Sequence, residues 1–291
     1  MLQAIVLGVF QGATYAMLAV GLVLVYKGAK VFNFAQGAFG MLATYAAWAL
    51  LSFQHFPYWL AFAVGLLCAV AMGLVMERLV VRPLMGRSRI TLLVATVGVT
   101  LAAIEGAIIV ANPVPQTFPV AIQGKATVIA NAGILPQQWL LLVVLGIVGV
   151  LLALFLRTDH GYAVLAMSQD AFAARVVGIS VPSVSRIIWG GAGLLGGLAG
   201  LLQAPLAGFD PGFLTANGLI PAFTAAVIGG MDSLSGAFVG GLVVGVVQSV
   251  AQYELQLQHG VPGGSGLAVF VVLLLVLLVR PRGILGRELA T

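Results

Sequence analysis

Ser265 stands in Gly263-Gly264-Ser265-Gly266, the glycine-serine setting in which an intramembrane serine protease presents its nucleophile. That chemistry requires a histidine held against the hydroxyl as a base. No histidine follows Ser265, His259 lies in the same polar stretch before it, and His55 and His160 fall in other connections. The sequence has no Gly-x-x-x-x-Gly-Lys-Ser/Thr loop to cradle a phosphate, so hydrolysis of a nucleotide by the chain itself is not expected. Cys68 is the only cysteine. One sulfur cannot build a disulfide framework or a thiolate metal cluster, and its apolar surroundings point to packing. Neither catalytic residues, a metal site nor a cofactor bound by this chain is expected.

Glu105 is the second candidate for chemistry, because it interrupts an apolar run far from either end. An ionised carboxylate at that depth is costly unless it faces protein or water. It is either a pathway or gating residue, or a structural carboxyl hydrogen-bonded to a neighbouring helix. In a stand-alone carrier driven by an ion gradient it would be the coupling carboxylate.

Small and polar residues break the apolar pattern at Phe32-Asn33-Phe34-Ala35-Gln36-Gly37 and at Gly229-Gly230-Met231-Asp232-Ser233-Leu234-Ser235-Gly236. Each break follows an apolar run and opens a new one. Free N–H groups at the start of the second helix would then point toward a route through the membrane. On that reading Asn33, Gln36, Gly37, Gly229, Gly230, Asp232 and Ser233 line the route together with Glu105. The alternative is that both breaks are tight turns at the membrane surface.

The elements that position these residues follow from composition. The 291 residues are 61% hydrophobic and only 7% charged, with a mean hydropathy of +1.14. A soluble domain carries about 25% charged residues, so lipid is the solvent for most of this surface. The apolar runs are long and nearly free of charge, which excludes an outer-membrane barrel and requires helices, the element that satisfies its own backbone in hydrocarbon. The expected fold is an all-α integral membrane protein, a polytopic bundle of about eight transmembrane helices with broken or re-entrant half-helices, forming one permease domain over 1–291.

Runs are expected over about 4–26, 31–53, 58–76, 90–111, 139–156, 187–207, 236–251 and 267–279. The segment 219–228 is apolar but too short for an unaided span, and it decides between eight and nine crossings. The net charge of +5 comes from 13 basic residues scattered in short connections, the positive-inside pattern rather than a nucleic-acid face. Lys27 and Lys30, the cluster Arg78, Arg82, Arg87 and Arg89, then Arg157, Arg175 and Arg186, and finally Arg280 and Arg282 mark the cytoplasmic side. The N-terminus then lies outside, and the first run stays in the membrane rather than serving as a cleaved leader. The connection at about 157–187 contains a helix-forming stretch from Tyr162 to Val177, read as an amphipathic helix on the cytoplasmic surface that docks another protein. Glycine pairs such as Gly8/Gly12, Gly193/Gly197, Gly196/Gly200, Gly236/Gly240 and Gly241/Gly245 allow close helix approach, for packing or for sliding.

Several ordered motifs carry a family resemblance over essentially the whole length. They are Gly12-Ala13-Thr14-Tyr15-Ala16-Met17-Leu18-Ala19-Val20-Gly21-Leu22, Asn33-Phe34-Ala35-Gln36-Gly37 with Met41-Leu42-Ala43-Thr44-Tyr45, Glu77-Arg78-Leu79 with Arg82-Pro83-Leu84, the stretch 161–178, Val227 to Ala237, and the closing Arg280 to Gly286. In their order and spacing the chain resembles the LivH-type permeases of the branched-chain amino-acid class of ABC importers. The resemblance implies a multi-pass protein of the bacterial inner membrane. It also implies a second, similar permease subunit in a heterodimer, two cytoplasmic ATPase subunits that use ATP and magnesium, and an external solute-binding protein. Relatives of this type carry branched-chain amino acids, and others urea, short amides or small organic acids. The coupling helix in that family follows the fifth segment, so Asp170, Phe172, Ala173, Ala174, Arg175 and Gly178 would contact the ATPase. The family usually has histidine where Gln36 stands and glycine where Asp232 stands, and both departures fall in the expected route.

Overall fold

The computed structural model describes residues 1–111, 114–280 and 283–285. Of the basic positions used above to assign sidedness, Arg282 lies outside the described residues, as does part of the closing motif.

Among the described residues, six helices are long and apolar enough to cross a membrane by themselves. They are α1 (Leu2–Ala29), α3 (Tyr58–Met76), α5 (Arg89–Ala111), α6 (Pro136–Phe155), α9 (Val181–Ala207) and α12 (Leu234–Ala251). The helix of α3 runs on through a π turn, Glu77–Val81, into α4 (Arg82–Leu84), and α12 runs on through a second π turn, Gln252–Gln258. Three more apolar helices lie between them, α2 (Gln36–Phe53), α10 (Phe213–Asn217) and α11 (Leu219–Gly229), and α13 (Gly264–Val279) follows α12. The connection after α6 holds α7 (Asp159–Gln169) and α8 (Ala171–Val176), and the long connection before α6 holds a small antiparallel hairpin, β1 (Thr127–Ile129) with β2 (Ala132–Ile134).

Burial separates a hub from a rim. The apolar window of α1 is 72% buried and that of α9 67%, against 11% for α5 and for α6. The hub packs tightly because small residues line its seams. On α1, Gly8 and Gly12 face Gly245 and Gly241 of α12, and a Cβ at Gly12 would stand 2.8 Å from the Leu242 backbone. Close backbone approach of this kind replaces the hydrophobic drive that lipid removes. The expected glycine pairs sit at these close helix seams.

The chain path fixes two ends. Lys27 and Lys30 at the close of α1 meet Asp232 before α12, while Gly28 lies against Met167 of α7 and Ile188 of α9. The N–H groups of Ile284 and Leu285, beyond Arg280, donate to the carbonyls of Ile228 and Gly229. The lysines, the α7–α8 connection and the end of α13 therefore share one end of the bundle, here termed the positive end. At the opposite end, Gln116 and Phe209 exchange backbone hydrogen bonds of 2.8 and 3.0 Å, and the rings of Tyr45, Tyr58, Phe118, Phe209 and Phe213 form one aromatic cluster.

Several expectations shift, and the sixth run, expected from 187, begins at Val181 as α9. The second run begins at Gln36 rather than near residue 31, because Lys30 takes a left-handed backbone, φ 53°, that stops α1 and leaves 31–35 non-helical. The surface helix expected from Tyr162 to Val177 is two helices, since Asp170 accepts from the N–H groups of Phe172 and Ala173 at 2.7 and 3.1 Å and starts α8 anew. A carboxylate that satisfies first-turn donors caps a helix instead of continuing one. The short apolar segment is α11, and with α10 it runs from the aromatic end to the positive end; it is not a loop that re-enters from one side.

Candidate functional site

Polar groups line α1 at three levels, carried by α1 itself toward its two ends and by the break before α2 between them. At the level nearest the aromatic end, a cavity of about 270 Å3 opens between α1, the end of α9 and α10. Its polar lining is Gln11, Thr14 and Tyr15 of α1, Gln203 of α9, Asp210 before α10 and Asn217 at its end. The Thr14 hydroxyl donates to Gln203 Oε1 at 2.9 Å, and Gln11 Nε2 donates to the Tyr15 hydroxyl at 2.7 Å. Phe209, Phe213 and Leu214 complete the wall. A mostly apolar pocket with a few convergent polar groups is the usual form of a small-molecule site, and this volume suits a solute smaller than the drug-sized ligands of about 300 Å3 upward. Thr14 and Tyr15 belong to the first family motif, but none of these residues was expected to line a site. The available signal was a polar triplet at i, i+3 and i+4 on one face of an otherwise apolar helix.

About 10 Å deeper, at seven residues of 1.5 Å rise, Gly21 of α1 faces the side chain of Gln36. Gln36 and Asn33 are fully buried. Asn33 Nδ2 donates to Gln36 Oε1 at 3.2 Å, Gln36 Nε2 donates to the Ala192 carbonyl at 2.9 Å, and Asn33 Oδ1 accepts from the Ala35 N–H at 3.0 Å. The α5 hydroxyl of Thr96 accepts from the Phe34 N–H at 3.2 Å. Gly37 sits against Thr215 of α10, with the threonine Oγ1 2.8 Å from where a Cβ would be. These three expected residues therefore form a closed polar block in the hub between the cavity and the positive end.

The third level is the positive end. Lys27 Nζ donates to the Asp232 carbonyl at 2.8 Å, and Lys30 Nζ lies 3.3 Å from the Asp232 carboxylate, which is half exposed. Ser233 caps α12 by accepting from the Gly236 N–H at 3.0 Å. Gly229 packs on the Gly236 backbone, and Gly230 has φ 102°, a left-handed value that a side chain rarely adopts. The late break is thus a tight turn at the end of the bundle, whereas the early one reaches into the hub. The structure does not bring Glu105 to either group. It lies on the exposed stripe of α5 with Val94, Gly98, Leu101 and Ile109, while Leu92, Thr96 and Thr100 face inward.

Among the coupling candidates, Phe172 is 74% exposed and is followed on the same surface by Arg175, Val176 and Val177. Ala173 is exposed as well, but Ala174 is buried at 3% and faces the bundle. Gly178 closes α8 with φ 87° and has open space around it. His259 Nδ1 lies 2.6 Å from the Glu254 carbonyl, and Ser265 occupies the first turn of α13. One ion pair was not foreseen as a site: the fully buried Glu77 carboxylate accepts from Arg82 Nη2 at 3.0 and 3.1 Å where the π turn meets α4.

The profile of the family described as "Branched-chain amino acid transport system / permease component" matches residues 4–279. The chain is 29% identical to the high-affinity branched-chain amino acid transport system permease protein LivH of Salmonella typhimurium, with 98% of this chain and 96% of the relative covered. It is 31% identical to the corresponding permease protein BraD of Pseudomonas aeruginosa over the same shares. A more distant relative is the autoinducer 2 import system permease protein LsrD of Klebsiella pneumoniae, at 28% identity over 80% of this chain and 68% of the relative. Among solved structures, PsaBC from Streptococcus pneumoniae in complex with Fab shares the fold at a TM-score of 0.52 and 15% identity, covering 95% of this chain and 91% of that one. A bundle of membrane-length helices with a polar seam, matched along its whole course by these permeases, places the chain at the inner membrane as a multi-pass permease component, and it belongs to the branched-chain amino acid transport system permease family.

Proposed function

We propose that the chain is the membrane half of an ATP-driven importer for branched-chain amino acids or related small amides and organic acids. The observation that carries this reading is the cavity of about 270 Å3 at the aromatic end. It combines amide, hydroxyl and carboxylate groups with aromatic walls, as an amino acid with a polar head and an apolar side chain requires. The solute enters there, passes the Asn33–Gln36 block when the α1–α9 seam opens, and leaves toward the positive end past Gly229, Gly230, Asp232 and Ser233. Over the described residues the chain path supports nine crossings, counted as α1, α2, α3, α5, α6, α9, the α10–α11 pair, α12 and α13, with the N-terminus outside. Residues 1–291 then form one permease domain.

Energy comes from partners. Two cytoplasmic ATPases would dock on the α7–α8 connection, where exposed Phe172, Ala173, Arg175 and Val176 form the contact and buried Ala174 relays it to the bundle. ATP and magnesium are bound by those subunits, and an external binding protein delivers the solute. A second permease subunit would cover the exposed face of α5, which turns Glu105 from a lipid-facing carboxylate into one lining the seam between subunits. Reconstitution tests the reading. The chain alone in liposomes should be inert, and uptake of radiolabelled leucine should appear only with the ATPases, ATP and the binding protein; gradient-driven uptake by the chain alone would establish a secondary carrier instead.

A further inference from the structure

The cavity at the aromatic end carries a single charge. Among the described residues, its lining holds the Asp210 carboxylate and no lysine, arginine or histidine, and its other polar groups are amides and hydroxyls. Asp210 is half-buried and stands in the turn between the buried rings of Phe209 and Phe213. Its position is set by the backbone on both sides. Its carbonyl accepts from the Phe213 N–H at 3.1 Å, and Phe209 is tied to Gln116 by two backbone hydrogen bonds.

The carboxylate itself has nothing against it. Among the described residues the ion pairs lie elsewhere, Lys30 with Asp232 and Arg82 with Glu77, and no donor is bonded to Asp210. The Tyr45 ring packs edge-on against Phe209, but its hydroxyl makes no hydrogen bond and so does not cover the charge. A carboxylate drawn partly out of water is costly without a partner, and an open cavity beside it lets a bound solute supply one. On α9 the Thr14 hydroxyl occupies Gln203 Oε1 at 2.9 Å, which leaves the NH2 group as the free end of that amide. The volume of about 270 Å3 holds roughly nine water-sized atoms at about 30 Å3 each. That admits a free amino acid and excludes a peptide.

We infer that Asp210 is the specificity-determining residue of this cavity. Its carboxylate takes the ammonium group of the solute, the NH2 group of Gln203 takes the solute carboxylate, and Phe209, Phe213 and Leu214 take the apolar side chain. This assignment rests on the cavity being the solute's entry, as proposed above, and narrows the solute to a small molecule that carries an ammonium group. An organic acid with a carboxylate alone meets like charge and is turned away.

The test uses the transporter assembled with the subunits that copurify with it, in detergent and without the binding protein, whose own selection then does not enter. Saturation-transfer NMR reads direct contact with leucine, leucinamide (ammonium only), isocaproate (carboxylate only) and isocaproamide (neither). Leucine and leucinamide should bind, and isocaproate should bind at least tenfold more weakly than leucine. Asp210→Asn should weaken leucine and leucinamide about tenfold, the worth of one hydrogen bond to a charged group. It should tighten isocaproate and leave isocaproamide unchanged, a pattern that a collapsed cavity does not give. Asp210→Glu should keep the wild-type order. Equal binding of leucinamide to the wild type and to Asp210→Asn overturns the proposal, as does isocaproate matching leucine on the wild type. A uniform loss of all four solutes in Asp210→Asn makes the residue structural and overturns it too. Failure of the transport reading looks different. ATP-dependent leucine uptake with no solute bound in the cavity would leave that reading standing and remove the role of Asp210, whereas binding in the expected order without ATP-dependent uptake would do the reverse.

Discussion

Replacing Gln36 with leucine keeps the side-chain volume near constant while deleting both amide hydrogen bonds. Gln36 is fully buried, and its Nε2 donates to the Ala192 carbonyl at 2.9 Å while its Oε1 accepts from Asn33 at 3.2 Å. The Ala192 carbonyl lies within α9 and keeps its helical partner, so that loss is about 1 kcal/mol. Asn33 Nδ2 loses its acceptor in a dry site, which costs about 2 kcal/mol more. A total of about 3 kcal/mol corresponds to a fall in the unfolding midpoint of roughly 6 °C or more. The assay is unfolding in detergent with a dye that reacts with the sole, half-buried thiol of Cys68, alongside uptake by the assembled transporter. Gly21→Ala offers an independent route to the same result, because its Cβ would stand 2.9 Å from Gln36 Cδ and push the amide off Ala192. Wild-type midpoints and uptake in both variants would refute the idea that a closed polar block divides the two ends of the bundle.

Other consequences are open to simpler tests. Gly245→Val should abolish accumulation of folded protein in membranes, because its Cβ would meet the Gly12 backbone at the α1–α12 crossing. Arg82→Leu strands the buried Glu77 carboxylate and should cost about 3 kcal/mol, read as a lower unfolding midpoint with partial rescue by Glu77→Gln in the same chain. Phe172→Asp should leave insertion and stability unchanged, within about 0.5 kcal/mol for an exposed site, while cutting uptake and releasing ATP hydrolysis from solute control; uptake at the wild-type rate would remove α8 from coupling. Gln203→Leu should weaken solute handling, seen as a raised KM, since Thr14 loses its acceptor and the cavity one amide.

The bundle was legible because span length and near absence of charge follow directly from the solvent, so the ends of α3 and α5 fall within a residue of expectation. Details set by single side chains were not. Asp170 lies in a stretch of good helix formers, and only its capping geometry splits α7 from α8. The direction of the Glu105 side chain depends on how α5 is rotated against the hub, a quantity that a uniformly apolar helix does not encode. Lys30 shows the opposite limit, since a left-handed lysine gives no signal of the kind glycine gives. The Asn33–Gln36 block was visible as a polar interruption, but its mate on α1 is Gly21, legible only through packing. The cavity at the aromatic end was missed because Gln11, Thr14 and Tyr15 make a single polar turn in a long apolar helix, and Gln203, Asp210 and Asn217 become their neighbours only through the fold.

In the proposed route, solute enters through the cavity between α1, α9 and α10. In a Cys68→Ser chain carrying Gln203→Cys, assembled with its partners and reconstituted, a membrane-impermeant thiol reagent added on the binding-protein side should label the new cysteine. Solute-loaded binding protein should slow that labelling. Labelling from the ATPase side alone, or a rate indifferent to solute, would contradict the account.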